Sequence, residues 1–332
     1  MIIHLPKNIS RACVQQFADH VGALCLEKTD YFILITNHTV KQVPAALEDM
    51  ALAHWTFNTD MQLSSREYHP DTHRIAIGDT YIGGDQKNQL MIAGPCAVES
   101  REQIEQSCQM IKQHGIRVLR AGSYKPRTSP YTFRGLGEDG LKLLAEMREK
   151  YGLLIATEMR DATHADKVVE YADIVQVGAK AMYDHGLLTA AGQSGKPVIL
   201  KRGFGSTLQE LVNCADFIMS CGNDQVILCE RGIRSFETNT RFTLDLCGVA
   251  WLKEHCNLPI ILDPSHAMGY AYGIADLARA FTAMGIDGLL IETHPCPQCA
   301  QSDAPQQLDH QQFSEMYNSL KAIAAAVGKN LV

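Results

Sequence analysis

The chain has 332 residues, 46% of them hydrophobic and 20% charged, which leaves room for one large domain or for a large and a small one. A formal net charge of −7, with no long block of Lys and Arg, excludes a nucleic-acid footprint. No apolar run approaches the roughly 20 residues that span a bilayer, and MIIHLPKNIS lacks the features of a secretory signal, so the protein is expected in the cytoplasm with its cysteines reduced and no structural disulfide.

In chain order, MIIHLP and YFILITN (31–37) read as strands, 9–20 and 40–51 as helices, HWTFNTD as a further strand-like run and SREYHP as a connector. That order predicts a small ferredoxin-like βαββαβ module over residues 1–70. HRIAIGDTYIGG (73–84) reads as a hairpin.

From residue 90 onward, short β-branched runs alternate with segments of helical length. The runs are LMIAG (90–94), RVLRAG (117–122), LLIATE (153–158), DIVQVG (173–178), PVILKRG (197–203), QVILCERG (225–232), PIILDPSH (259–266) and GLLIETHP (288–295), with a last helix near 309–327. Eight such units have the size of a (β/α)8 TIM barrel, expected over residues 71–332 with the 73–84 hairpin closing its bottom. No Gly-x-Gly-x-x-Gly comes after the first run, so a dinucleotide-binding open sheet has no support.

A barrel of this kind puts its site at the C-terminal ends of its strands. Those ends carry Cys96, Arg120 with Lys125, Glu158, Gln176 with Lys180, Lys201 with Arg202, Glu230 with Arg231, Asp263 with His266, and Glu292 with His294. Cations converging on one mouth imply an anionic substrate with at least two anionic groups. The loop KPRTSPYTFRG (125–135) adds Lys125 and Arg127 around Pro126, whose fixed φ presents them with little entropy left to lose, as capture of a dianion requires. Cys96, His266 and Glu292 fall at the tops of the first, seventh and eighth runs, adjacent once the barrel closes; thiolate, imidazole and carboxylate together suit a divalent transition metal.

GPCAVES (94–100), RAGSYKPRTSPYTFRGLG (120–137), KPVILKRG (196–203), GNDQVILCERGIRSFE (222–237), DPSHAMG (263–269) and IETHP (291–295) together resemble 3-deoxy-D-arabino-heptulosonate 7-phosphate (DAHP) synthases of the type I-beta branch, over roughly residues 70–310. The resemblance implies condensation of phosphoenolpyruvate with erythrose 4-phosphate at the entry to the shikimate pathway. It implies Cys96, His266, Glu292 and Asp303 as ligands of one Mn²⁺, Fe²⁺, Co²⁺ or Zn²⁺ ion, Asp303 being a residue that spacing alone does not select. It also implies that Arg120, Lys125, Lys201 and Arg231 hold phosphoenolpyruvate, with Lys180 where relatives carry Arg, and that Lys125, Pro126, Arg127 and Thr128 receive erythrose 4-phosphate. Glu158 is the candidate for handling the proton of the added water, the alternative being a salt bridge to Lys125 or Lys201. Asp263 and His294 are candidates for supporting the ligands from behind.

Two features depart from the family pattern. Lys180 keeps a charge and gives up bidentate contact. PCPQC (295–299) places a CxxC beside the expected metal site, read as two incidental thiols, with redox inactivation as the lesser reading. Relatives of this branch use an N-terminal module for feedback inhibition by tyrosine or phenylalanine, so residues 1–70 are expected either to take an aromatic amino acid effector or to support subunit contacts in a dimer or tetramer. The competing functions are 3-deoxy-D-manno-octulosonate 8-phosphate synthase, acting on arabinose 5-phosphate, and a catalytically silent metabolite sensor.

Overall fold

The computed structural model describes residues 1–125, 129 and 131–332. Its N-terminal part is a four-stranded antiparallel sheet made of β1 (Ile2–Pro6), β2 (Leu24–Glu27), β3 (Tyr31–Ile35) and β4 (Ala53–Trp55), in the order β2-β3-β1-β4. That is the strand order of a ferredoxin-like module. The helix α1 (Arg11–Val21) links β1 to β2, begins at Ser10, whose hydroxyl accepts the Cys13 N–H, and ends at Gly22 in the left-handed conformation. The second expected helix, over 40–51, is reduced to one 3-10 turn, Ala45–Leu47. Pro44 stands immediately before that turn, where it removes a backbone donor and disfavours helical geometry in Val43.

Alternation along the strands splits this sheet between two cores. Ile3, Leu5, Phe32 and Leu34 pack with Val14 and Ala18 of α1, while Ile2, Ile33 and Ile35 join the large core around the barrel. Further ties run through Asp216, which accepts the backbone N–H groups of Gln62, Leu63 and Ser64, and through an ion pair between Lys28 and Asp224.

A hairpin of β5 (Ile75–Ile77) and β6 (Thr80–Ile82) comes next, turning through Gly78, whose φ of 62° is one that side-chain-bearing residues rarely adopt. Beyond it lie the eight strands of a closed parallel barrel: β7 (Asn88–Gly94), β8 (Val118–Arg120), β9 (Leu154–Met159), β10 (Ile174–Val177), β11 (Val198–Lys201), β12 (Val226–Glu230), β13 (Ile260–Leu262) and β14 (Gly288–Glu292). Pairing of β14 with β7, from Gly288 opposite Leu90 to Glu292 opposite Gly94, closes the ring. Each strand overlaps one of the eight runs read from the sequence.

Between them lie α2 (Arg101–Gln113), α3 (Glu138–Tyr151), α4 (Ala165–Tyr171), α5 (His185–Gln193), α6 (Leu208–Ser220), α7 (Leu246–His255), α8 (Pro264–Met268) and α9 (Ile274–Ala283), with α10 (His310–Ala326) after the last barrel strand and β15 (Asn330–Leu331) beside β7. The hairpin lies under the ring: Ile75, Ile77 and Ile82 pack among Leu90, Ile92, Val118, Ile174, Ile199, Ile227, Ile261 and Leu290, the side chains that fill the barrel interior. The lower end is therefore packed, and the polar strand ends gather at the opposite mouth. Among the described residues, no helix is long and apolar enough to cross a membrane.

Candidate active site

The barrel ends its strands at the residues that face the mouth. Gly94 closes β7 with a φ of 147°, and a side chain there would run into the carbonyl oxygen of Arg120, so only glycine lets the chain turn into the loop that carries Cys96. His266 is not at a strand top as expected. β13 stops at Leu262, and Asp263 caps the short helix α8, its Oδ1 accepting the His266 N–H at 3.0 Å, so His266 is presented from a helix.

Cys96 Sγ and one carboxylate oxygen each of Glu292 and Asp303 lie within 4.8 Å of one another. Cys96 Sγ is 3.2 Å from Asp303 Oδ2 and 3.1 Å from Ser302 Oγ. His266 stands beside the group, with Nε2 3.4 Å from Glu292 Oε1. Glu292 is fully buried and held from three sides: Arg120 Nη1 donates to Oε1 at 2.5 Å, Gln306 Nε2 donates to Oε2 at 2.6 Å, and the backbone N–H is fixed by Ser265 Oγ at 3.0 Å. Asp303 is the one side-chain-bearing residue with positive φ among those described, at 51°.

Charge is distributed accordingly. Burial and the neighbouring Glu292 carboxylate push the Cys96 thiol up to about 12. Burial would raise Asp303 too, but His266, Lys125 and the Cys96 hydrogen bond outweigh it and bring its carboxyl down to about 2. Glu292 is likewise held below the usual range, against burial, by His266 and Arg120. Two ionised carboxylates, a thiol and an imidazole crowded into one buried spot form a donor set that fits a divalent transition metal.

Behind this group, Asp263 accepts from Lys201 and bonds His266 Nδ1 at 2.6 Å, which leaves Nε2 directed at the Glu292 side. Burial opposes its ionisation, but His266 and Lys201 hold its carboxyl well below the usual range. His294 does not reach Glu292. Its Nδ1 accepts the Cys296 N–H at 3.0 Å, and its Nε2 lies 3.5 Å from Glu99 Oε2.

Beside the donors opens a cavity of about 360 Å³, lined by Lys125, Glu158, Gln176, Gly178, Ala179, Lys180, Lys201, Phe204, Arg231, Arg234, Arg241, Phe242, His266 and Asp303. Among the described residues, six Lys and Arg side chains thus line the cavity together with two carboxylates. Arg231 is buried, stacks over Phe242 at 4.4 Å from the ring centre, and its Nε and Nη1 have no hydrogen-bond partner among the described residues. Buried guanidinium donors left in that state are suited to an incoming anion. Lys125 is buried with Nζ 3.1 Å from the Cys96 carbonyl, and its charged form is favoured against burial by Cys96 and Glu158. Lys180 sits exposed at the rim, in the 3-10 turn Ala179–Ala181. Glu158 is in β9, packed so closely on Gly178 that a side chain at 178 would overlap its carboxylate. Pro126, Arg127 and Thr128 lie outside the described residues.

Of the residues read from the sequence, Cys96, Arg120, Lys125, Glu158, Lys180, Lys201, Arg231, His266, Glu292 and Asp303 are therefore gathered at one mouth. Sequence reading missed Arg234 and Arg241 as cavity residues, together with the aromatic faces of Phe204 and Phe242 that they cover. It also missed Gln306, whose Oε1 accepts Arg241 Nη1 at 2.8 Å. Arg234 and Arg241 lie in loops and Gln306 in the 3-10 turn Ala304–Gln306, where strand-end logic gives no signal. One further reading is corrected: Cys296 and Cys299 are not two separate thiols but form a disulfide, their Cα atoms 5.4 Å apart across the turn Pro297–Cys299. That turn folds the chain back on itself and brings the two side chains together.

Comparison with known proteins agrees with this geometry. The chain is 45% identical over 267 residues, 80% of its length and 78% of the relative's, to phospho-2-dehydro-3-deoxyheptonate aldolase of Thermotoga maritima. It is 33% identical over 279 residues, 79% of its length and 99% of the relative's, to 2-dehydro-3-deoxyphosphooctonate aldolase of Syntrophotalea carbinolica. The crystal structure of the Thermotoga maritima phospho-2-dehydro-3-deoxyheptonate aldolase (DAHP synthase) matches over 100% of this chain and 99% of that one, with a TM-score of 0.81 and 38% identity. A truncated form of the 3-deoxy-D-arabino-heptulosonate 7-phosphate synthase from the same organism matches over 82% of this chain and 100% of that one, with a TM-score of 0.77 and 41% identity. Residues 60–328 match the DAHP synthetase I family, and the chain belongs to that family.

Proposed function

We propose that this chain condenses phosphoenolpyruvate with erythrose 4-phosphate and water, giving 3-deoxy-D-arabino-heptulosonate 7-phosphate and phosphate, at a metal-dependent site in the barrel mouth. The observation that carries the reading is a cavity lined, among the described residues, by six Lys and Arg side chains together with His266 and Asp303, beside the buried Cys96 and Glu292. Two phosphorylated substrates, one of them also a carboxylate, match that excess of cations.

Arg120, Lys125, Lys201 and Arg231, with Lys180 at the rim, hold the carboxylate and phosphate of phosphoenolpyruvate. Lys125, Pro126, Arg127 and Thr128 receive erythrose 4-phosphate. Cys96, His266, Glu292 and Asp303 would hold one Mn²⁺, Fe²⁺, Co²⁺ or Zn²⁺ ion, which would supply Lewis-acid polarisation of the aldehyde. C3 of phosphoenolpyruvate bonds to the aldehyde carbon, whose C=O electron pair passes to the oxygen and takes up a proton, and the positive charge developing at C2 is answered by water. Glu158, on the cavity wall, takes the proton of that water. As phosphate departs by C–O cleavage, the buried cations balance the charge on both the carboxylate and the leaving dianion. Asp263 keeps Lys201 and His266 aimed, since it bonds both.

Residues 1–70 form, in this reading, a module separate from the catalytic barrel of residues 71–332, which takes an aromatic amino acid effector or supports a closed dimer or tetramer. Its sheet order and its own small core behind α1 support a distinct unit.

The test is phosphate release from phosphoenolpyruvate with erythrose 4-phosphate or with arabinose 5-phosphate, before and after EDTA and after Mn²⁺ is restored. Release with erythrose 4-phosphate that disappears with chelator and returns with Mn²⁺ is expected. Release with arabinose 5-phosphate alone would mean the octulosonate reaction, and no release with any metal would mean a silent sensor.

A further inference from the structure

Between Glu292 and Asp303 the chain makes a detour that closes on the Cys296–Cys299 bridge, with Cys296 half-buried and Cys299 exposed. The turn inside it is held by the Cys299 N–H donating to the Cys296 carbonyl at 2.9 Å. The bridged residues are only three positions apart, so the bridge removes little freedom from the unfolded chain and is no staple for the fold. The other nine cysteines form no disulfide. An exposed CxxC bridge in a chain of otherwise unpaired thiols has the access that thiol–disulfide exchange requires.

Its position links it to the donor group on both sides. Upstream, Cys296 N–H bonds His294 Nδ1, and His294 Nε2 faces Glu99, whose Oε1 also accepts the Gln301 N–H at 2.9 Å. Glu99 comes three residues after Cys96 in the same loop. Downstream, Ser302 Oγ and Asp303 Oδ2 lie 3.1 and 3.2 Å from Cys96 Sγ. The bridged turn is thus the middle of a strap whose two ends rest on the Cys96 loop, and the strap itself connects two donor carboxylates.

We propose that Cys296–Cys299 is an exchange site for a dithiol reductant, and that its redox state sets how tightly Cys96, Glu292 and Asp303 hold their metal ion. The second half of this rests on the proposed metal dependence of the site. In the exchange, a thiolate of the reductant attacks the exposed Cys299 sulfur, the S–S bond breaks, and Cys296 leaves as a thiolate that takes a proton. The reductant's second thiol attacks the mixed disulfide, freeing Cys299; the reductant is oxidised to its disulfide and two electrons and two protons pass to the pair. With the bridge closed, the turn in the middle of the strap is already ordered when the ion arrives; with it open, binding must also order the 296–299 turn, and affinity falls.

The experiment equilibrates the full-length protein in buffers of graded reduced-to-oxidised dithiothreitol. Reductant is then removed without air, Cys296 and Cys299 thiols are quantified by alkylation and mass spectrometry, and Mn²⁺ is titrated with free ion read by electron paramagnetic resonance. The same is done for C299S and for the C296S/C299S double variant. We expect reversible two-electron conversion of this pair and Mn²⁺ binding weaker by about tenfold in the reduced protein, on the order of losing one supporting contact. The variants should bind as the reduced protein does in every buffer, with C299S carrying the comparison should the double variant not fold. Equal affinity in both states, or a response that persists in the variants, overturns the proposal. Absence of Mn²⁺ binding in both states overturns the metal reading and the link with it, an outcome distinct from binding that ignores the redox state.

Discussion

Gln306 donates its amide to Glu292 Oε2 at 2.6 Å while its own Oε1 accepts from Arg241 Nη1 at 2.8 Å. The second bond fixes the orientation of the first, because an amide whose oxygen faces a guanidinium must turn its NH₂ to the carboxylate. Gln306 therefore works as a positioning residue between the cationic wall and the donor group. Gln306→Ala should weaken Mn²⁺ binding by about tenfold, and Gln306→Glu should weaken it at least as much by setting a second carboxylate against Glu292. Direct metal titration of each variant checks this; unchanged affinity in both would remove Gln306 from the role.

Gly178 lies against Glu158 with no room for a β-carbon. Since the obstacle is the far end of one flexible side chain, Gly178→Ala should leave thermal stability nearly unchanged and swing the Glu158 carboxylate out of place. If Glu158 handles the proton of the added water, kcat should fall by about a hundredfold with little change in KM. Equal kcat in the variant would assign Glu158 to charge balance with its cationic neighbours.

Lys180 presents one ammonium at the exposed rim where a guanidinium would offer two parallel donors. Lys180→Arg should lower the KM for phosphoenolpyruvate by about threefold, the scale of an exposed charged contact, and leave the KM for erythrose 4-phosphate unmoved. Steady-state kinetics with each substrate varied in turn gives the answer.

Asp216 accepts three backbone N–H groups from residues 62–64, yet burial outweighs them and pushes its carboxyl up to about 6 from 3.8. The folded protein then keeps this proton through a range where the unfolded chain has released it. More protons are bound in the native state there, so stability contributed by Asp216 is full below about pH 4 and falls as pH rises to about 6. Urea unfolding of the wild type and Asp216→Asn across that range should show the wild type losing ground to the variant as pH rises. The opposite slope would mean that the three donors outweigh burial.

The eight barrel strands were legible because each is a short apolar run, the pattern that buried parallel strands impose, and most of them carry a charged residue at or just beyond the C-terminal end. The helix expected over 40–51 was not, because local hydrophobic spacing says nothing of how Pro44 limits the segment to one turn. Cys96, Arg120, Lys201 and Glu292 were found by position at strand ends. Asp303 came only from resemblance, since it sits in a loop at positive φ and no periodicity marks it. Arg234 and Arg241 also project from loops and Gln306 from the 3-10 turn Ala304–Gln306, and only the folded chain shows which side chains such segments return to the mouth. The Cys296–Cys299 bridge was misread for a related reason: spacing permits a bond, and the path of the turn decides it.

The hairpin that fills the lower end of the barrel with Ile75, Ile77 and Ile82 has a kinetic meaning. A chamber with a sealed floor has one doorway, and everything that enters must leave by the same route in reverse. Arg120 and Lys201 lie deep, at the strand ends, while Lys180 and Arg241 stand nearer the solvent. Whatever molecule the deep pair grips must arrive before anything held at the threshold, and it departs only after the threshold clears. Traffic through such a chamber is a queue, so initial-rate patterns should be those of ordered addition, with the later substrate able to trap the earlier one inside.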